Sequence, residues 1–84
     1  MSDTTVKEDQ VLDCKGLLCP LPVYQTSRAM AKLDHGQVLR VECTDPGSLE
    51  DFRAFARQQR QTLLLAEERD GVQVFLLRKE GGET

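Results

Sequence analysis

The side chains able to do covalent chemistry are three cysteines, Cys14, Cys19 and Cys43, and one histidine, His35. Cys19 stands out by its company, the run Asp13-Cys14-Lys15-Gly16-Leu17-Leu18-Cys19-Pro20-Leu21-Pro22. Prolines at alternate positions fix φ and remove two N–H donors, so the turn after Cys19 is stiff before any tertiary contact forms. A cysteine reacts as its thiolate, and an ordinary thiol with a pKa of about 8.5 is mostly protonated near neutrality. Something local must favour the anion. A helix start offers unpaired N–H groups and the positive end of the macrodipole, and Lys15 adds to both if it points the same way.

That helix is read from Pro22 to Leu33, where Val23, Thr26, Met30 and Leu33 recur at three- and four-residue steps and Asp34-His35-Gly36 marks the end. Two registers place the thiol: Cys19 caps a helix starting at Pro20, or Leu21 caps one starting at Pro22. A residue before proline avoids the α region, which favours the second. In either register Cys19 lies within a turn of the helix end, on a strand-to-helix loop, a place for exposed function rather than for core.

The strand before it is Gln10 to Cys14, with Gly16 supplying the unusual φ of the tight turn. Gln37 to Thr44 alternates, sending Leu39, Val41 and Cys43 to one face and Val38, Arg40 and Glu42 to the other. Asp45-Pro46-Gly47-Ser48 starts a second helix running to Gln59, with Asp45 as a cap and Ser48 with Asp51 as a short-armed capping box. Leu49, Phe52, Phe55 and Ala56 form its apolar stripe. Strands from Thr62 to Glu68 and from Val72 to Arg78 flank Asp70-Gly71, a strong hairpin signal.

Strand, helix, strand, helix, strand, strand is an α/β order, and two helices cover only one face of four short strands. The result is a two-layer sandwich with a parallel first pairing, an antiparallel final hairpin, and a second sheet face that stays wet or meets a partner. The domain is expected over residues 10–79, with a flexible lead-in at 1–9 and a flexible tail at 80–84.

Eighty-four residues make one domain with a thin core, too small to enclose a deep two-substrate site. Eleven basic residues against fourteen acidic ones give a net charge of −3, the wrong sign for a DNA or generic RNA binder. No apolar run approaches a membrane span and no signal-peptide pattern opens the chain, so a cytoplasmic protein without membrane contact is expected. An odd cysteine count outside a secretory context argues against a complete disulfide framework and leaves at least one thiol free.

Asp13, Gly16, Leu17, Cys19, Pro20 and Pro22 resemble the signature of the TusA/SirA-like sulfur-carrier family, a cysteine followed by Pro-x-Pro. The likeness extends from about Gln10 to Lys79 and includes Asp45-Pro46 and the Asp70-Gly71 hairpin. It implies a βαβαββ sandwich of sheet order 1-2-4-3, and a sulfurtransferase role in which Cys19 carries sulfane sulfur as a persulfide. The supporting motif would be Asp13, Lys15, Gly16, Leu17, Pro20 and Pro22. Sulfur would come from a cysteine desulfurase or rhodanese and pass to an acceptor protein, in tRNA thiolation, molybdenum-cofactor or sulfur-oxidation routes, with no cofactor or metal.

Other residues admit two readings. Cys14 could resolve the persulfide as a disulfide with Cys19, but alternation favours an edge or core thiol. Cys43 shares a buried face with Leu39 and Val41 and reads as structural. A zinc set of Cys14, Cys19, Cys43 and His35 fails because His35 falls at the far end of the helix and proline follows Cys19 directly. Arg53, Arg57 and Arg60 form a basic ridge which, with Arg28, could dock an acidic partner or simply be a solvated face. A non-catalytic regulatory or protein/RNA-interaction module is the alternative to the carrier. The implied fold is shared with an RNA-contacting translation-factor domain, although the net charge argues against RNA.

Overall fold

A computed structural model describes residues 8–80. The remainder of the expected lead-in and tail, residues 1–7 and 81–84, lies outside the described residues. The elements are β1 (Gln10–Cys14), α1 (Leu21–Ala31), β2 (Val38–Cys43), α2 (Ser48–Gln59), β3 (Thr62–Arg69) and β4 (Val72–Arg78). They form one four-stranded sheet in the order β1-β2-β4-β3. β1 runs parallel to β2, and β4 is antiparallel to both its neighbours. The α+β architecture matches the expected sandwich.

Both helices pack on one sheet face. The core unites Met30 of α1, Phe52, Phe55 and Ala56 of α2, and Cys14, Leu39, Val41, Cys43, Phe75 and Leu77 of the sheet. At its centre Phe52 stacks on Phe75 with ring centroids 4.5 Å apart and meets Phe55 edge-on at 6.4 Å. In α1 the buried positions are Pro22, Thr26 and Met30, a stripe at four-residue steps.

The opposite sheet face carries charged side chains that reach water, and Val11 of the edge strand β1 is 58% exposed there. Val38, Val74 and Leu76 point there by alternation, yet expose only 6, 5 and 7% of their surface. Long charged side chains lie beside them. Glu42 accepts hydrogen bonds from Lys15 Nζ and Arg40 Nε, both at 2.8 Å, and Arg78 Nε pairs with Glu80 at 2.8 Å. The aliphatic stems of such residues shield apolar surface while their charged ends stay in water. Lys15, followed by Arg40, holds the Glu42 carboxyl below its usual range.

The β3–β4 hairpin turns through Asp70 and Gly71 with φ of 52° and 83°. Both central residues are left-handed, as the turn type matching strand twist requires. β3 carries a bulge, the register slipping between Leu63 and Leu65. Among the described residues no helix is long and apolar enough to cross a membrane.

α2 ends with Arg60 in the left-handed region at φ 58°, its N–H directed at Ala56 and Arg57 carbonyls. A side chain there is strained by Cβ crowding, whereas glycine is not. Arg60→Gly is therefore expected to stabilise the fold by about 0.5–1 kcal/mol, less than the full strain because glycine also frees the unfolded chain. Thermal melting checks it: the midpoint rises by a few degrees, and an unchanged or lower one would show that the Arg60 side chain contributes more than its strain costs.

Candidate functional site

The loop from Lys15 to Pro20 carries Cys19 between β1 and α1, and its backbone is pinned at nearly every donor. Lys15 N–H donates to Asp13 Oδ1 at 2.9 Å, Gly16 N–H to Thr44 Oγ1 at 2.9 Å, and Leu17 N–H to the Cys14 carbonyl at 3.1 Å. Cys19 N–H donates to Asp45 Oδ2 at 2.7 Å, and Leu21 N–H returns to the Leu18 carbonyl at 2.9 Å. Gly16 sits at φ 86° with no heavy atom within 4 Å of a would-be Cβ, so backbone conformation alone demands glycine there.

The Cys19–Pro20 peptide is cis. Leu18 to Leu21 therefore forms a type VI turn, with the cis proline in its third place. α1 begins at Leu21 with Pro20 as its N-cap, so neither anticipated register is adopted. Leu21 enters the helix although Pro22 follows it. The pre-proline penalty is tolerated because Pro22 falls in the first turn, where its missing N–H leaves no intrahelical bond unmade. Cys19 thus stands one residue outside the cap. Prolines remove two donors there and Leu21 has spent a third, so this helix start presents few free N–H groups to sulfur.

Of the three cysteines, Cys19 is exposed while Cys14 and Cys43 are buried. Cys19 opens into a groove of about 440 Å³ between the helices, lined by Val23, Tyr24 and Ser27 of α1 and Asp51, Phe55 and Gln58 of α2 among others. Beside it, Leu18, Leu21 and Tyr24 expose 70, 46 and 55% of their surface. Arg28 lies over the Tyr24 ring, 5.9 Å from its centroid.

The electrostatics differ from the expectation. Lys15 does not assist the thiol; its ammonium lies 2.8 Å from Glu42 and 3.4 Å from Asp13. Carboxylates act on Cys19 instead. A hydrogen bond to Asp51 pushes the thiol above its ordinary pKa, with partial desolvation and the charges of Asp51 and Asp45 adding to the effect. The charged groups that act on Cys19 are thus acidic ones.

Asp45 does not cap α2 as anticipated. Its Oδ1 accepts from Gly47 N–H at 3.1 Å while Oδ2 holds Cys19, so it splints the cysteine loop to the β2–α2 connection. The Ser48–Asp51 capping box does not form either. α2 has Gly47 as N-cap without a side-chain cap, Ser48 is buried, and Asp51 is turned to the groove. Thr44, Asp45 and Asp51 are the site neighbours that motif reading misses as such, since nothing local ties them to residue 19.

Cys14 pairs in register with Cys43 of β2, and both are fully buried. Burial pushes the Cys14 thiol up and the Cys43 thiol up to about 11. A resolving role for Cys14 does not fit this placement, because its thiol is in the core and outside the groove that Cys19 faces. Arg53 and Arg57 are exposed one turn apart on α2, and Arg28 is exposed on α1. Asp13 remains on the surface, its carboxyl held below the usual range chiefly by the Lys15 N–H. Among the described residues no group of three or more His, Cys, Asp or Glu is arranged to hold a metal ion.

A family model described as Sulfurtransferase TusA matches residues 10–79. The chain belongs to the TusA family. It is 45% identical over 71 residues to the sulfur carrier protein TusA of Allochromatium vinosum, a match covering 84% of this chain and 93% of that one. It is 47% identical over 74 residues to a protein of Aquifex aeolicus described as a putative sulfur carrier, covering 88% of this chain but 38% of that longer protein. The solved SirA-like protein of Desulfitobacterium hafniense shares the fold with a TM-score of 0.76 at 24% identity, over 86% of this chain and 99% of the other. Sulfur carriage is the role this family membership supports.

Proposed function

We propose that this TusA-family chain accepts sulfane sulfur on Cys19 as a persulfide and passes it to an acceptor protein. The observation that carries the reading is the placement of Cys19: the one exposed thiol of three, on a backbone pinned by five hydrogen bonds, at the mouth of a groove. Thiol–persulfide exchange needs a nucleophilic sulfur that two partners can reach in turn, and the chemistry itself calls for no resident metal or cofactor. Leu18, Leu21 and Tyr24 give donor and acceptor proteins an apolar rim around that sulfur, and Arg28 a flanking charge. Arg53 and Arg57 extend a basic surface along α2 for an acidic partner.

Incubation with a cysteine desulfurase, cysteine and pyridoxal phosphate, followed by intact-protein mass spectrometry, tests the reading. The parent chain is expected to gain the mass of one sulfur atom, lost again on reduction, and Cys19→Ser is expected to gain none. Equal gain by Cys19→Ser would move the carrier role to another residue.

A further inference from the structure

Three features of the groove remain after sulfur carriage is assigned. It is lined by both the exposed thiol of Cys19 and the carboxylate of Asp51, it holds no histidine, and its one lysine neighbour in sequence, Lys15, is committed to Glu42 and Asp13. Asp51 lies in the first turn of α2 and lines the groove with Cys19. Asp45, the other nearby acid, already uses one carboxylate oxygen on Gly47 N–H and the other on Cys19 N–H. From α1 the groove wall contributes Tyr24 and the neutral Ser27, and the far end of α2 contributes Gln58 and Gln59. Asp51 is thus the carboxylate positioned to act on sulfur rather than on backbone.

We propose that Asp51 is the proton acceptor for Cys19, taking the thiol proton as Cys19 Sγ attacks a donor persulfide and returning it to the departing thiolate. The proposal rests on the persulfide reading above and deepens it. In the loading step, a lone pair on Sγ forms a bond to the terminal sulfur of the donor R–S–SH. The R–S bond to that sulfur breaks, its electron pair leaves on RS⁻, and the transferred sulfur keeps its own hydrogen. The Cys19 proton passes to the Asp51 carboxylate and from there to RS⁻. Cys19–SH and R–S–SH thereby give Cys19–S–SH and R–SH, with no net oxidation or reduction. Delivery runs the same exchange outward: Asp51 takes the proton of the acceptor thiol and returns it to Cys19 as the sulfur leaves.

The arrangement has a signature that neither a passive surface charge nor a simple thiolate-stabilising site would produce. A carboxylate against the thiol makes free thiolate rarer, so it slows reactions that only require thiolate. The same carboxylate speeds a reaction in which the proton must leave as the new bond forms. Removing it should move the two kinds of reaction in opposite directions.

The experiment compares the parent chain, Asp51→Asn and Asp51→Glu. Iodoacetamide alkylation across a pH series reads the thiolate, and buried Cys14 and Cys43 do not compete. Loading from glutathione persulfide reads sulfur transfer without a protein partner, and melting curves verify that each variant is folded. Asp51→Asn is expected to alkylate severalfold faster at neutral pH, with its rate midpoint moved to lower pH, while loading falls about tenfold or more. Asp51→Glu is expected to recover part of the loading rate. Loading by Asp51→Asn at or above the parental rate overturns the proposal alone, as does an alkylation profile that does not move. Failure of the parent chain to take up sulfur from either glutathione persulfide or the desulfurase overturns the persulfide reading, and the proposal with it.

Discussion

Asp45→Ala is expected to slow sulfur transfer at Cys19 about tenfold to a hundredfold, while costing the fold only about 1–2 kcal/mol. One carboxylate fixes two backbone N–H groups from different loops, Cys19 at 2.7 Å and Gly47 at 3.1 Å. Without it the cysteine loop keeps its contacts to Thr44 and Cys14 but loses the one that acts on residue 19 itself. Both released donors are near the surface and water can satisfy them, which keeps the stability cost low. Placement has no such substitute, because displacing a reacting atom by about 1 Å can cost two orders of magnitude in rate.

The direction of the charge effect makes the experiment decisive. Asp45 helps to raise the Cys19 pKa, so its removal increases the thiolate fraction. A slower transfer by Asp45→Ala therefore cannot be a shortage of nucleophile. Single-turnover transfer, alkylation rate and melting temperature measured on the same samples should show slower, faster and lower by about 5–10 °C respectively. Asp45→Asn keeps an amide oxygen for one of the two N–H groups and should fall between. Transfer at the parental rate in Asp45→Ala would mean that the loop holds the thiol without this splint.

The parts of this molecule set by near neighbours along the chain are legible in the sequence itself. β1, the alternation of β2 and the Asp70-Gly71 hairpin depend on period and turn chemistry, and each is found where those signals place it. Cys19 is legible too, because two prolines and a glycine mark its loop. The start of α1 is less so: pre-proline sterics point to Pro22, and tertiary pinning of the loop brings Leu21 into the helix instead. The electrostatics of the site are the least legible. Cys19 meets Asp45 across a sequence separation of 26 residues, and Lys15 finds Glu42 across 27. Both partnerships arise only when β1 and β2 lie in register, with Asp13 beside Glu42. Local signals assign Asp45 and Asp51 to helix capping because acids before and within a first turn usually serve there. Here those acids face a neighbouring loop, and α2 starts from Gly47 without a side-chain cap.

Phe52→Ala should produce the largest loss of stability of any change considered, about 3–5 kcal/mol. The ring is fully buried and stacks on Phe75 at 4.5 Å with an interplanar angle of 18°. Truncation removes its buried apolar surface and leaves a cavity under the first turn of α2, which Ser48 and Phe55 cannot fill without moving the helix. For a chain this short, total stability is on the order of 4–12 kcal/mol, so the variant would be partly unfolded at 37 °C if the parent lies near the lower end. A melting temperature lower by about 15–30 °C is the expected reading. The effect reaches the site as well, because Asp51 precedes Phe52 and is oriented by the same turn. At a temperature where Phe52→Ala is still folded, its alkylation rate should shift toward that of Asp51→Asn. Melting within about 5 °C of the parent would show that α2 is held to the sheet mainly by Phe55 and Ala56, and an unshifted alkylation rate in the folded variant would show that Asp51 keeps its place without the ring beneath it.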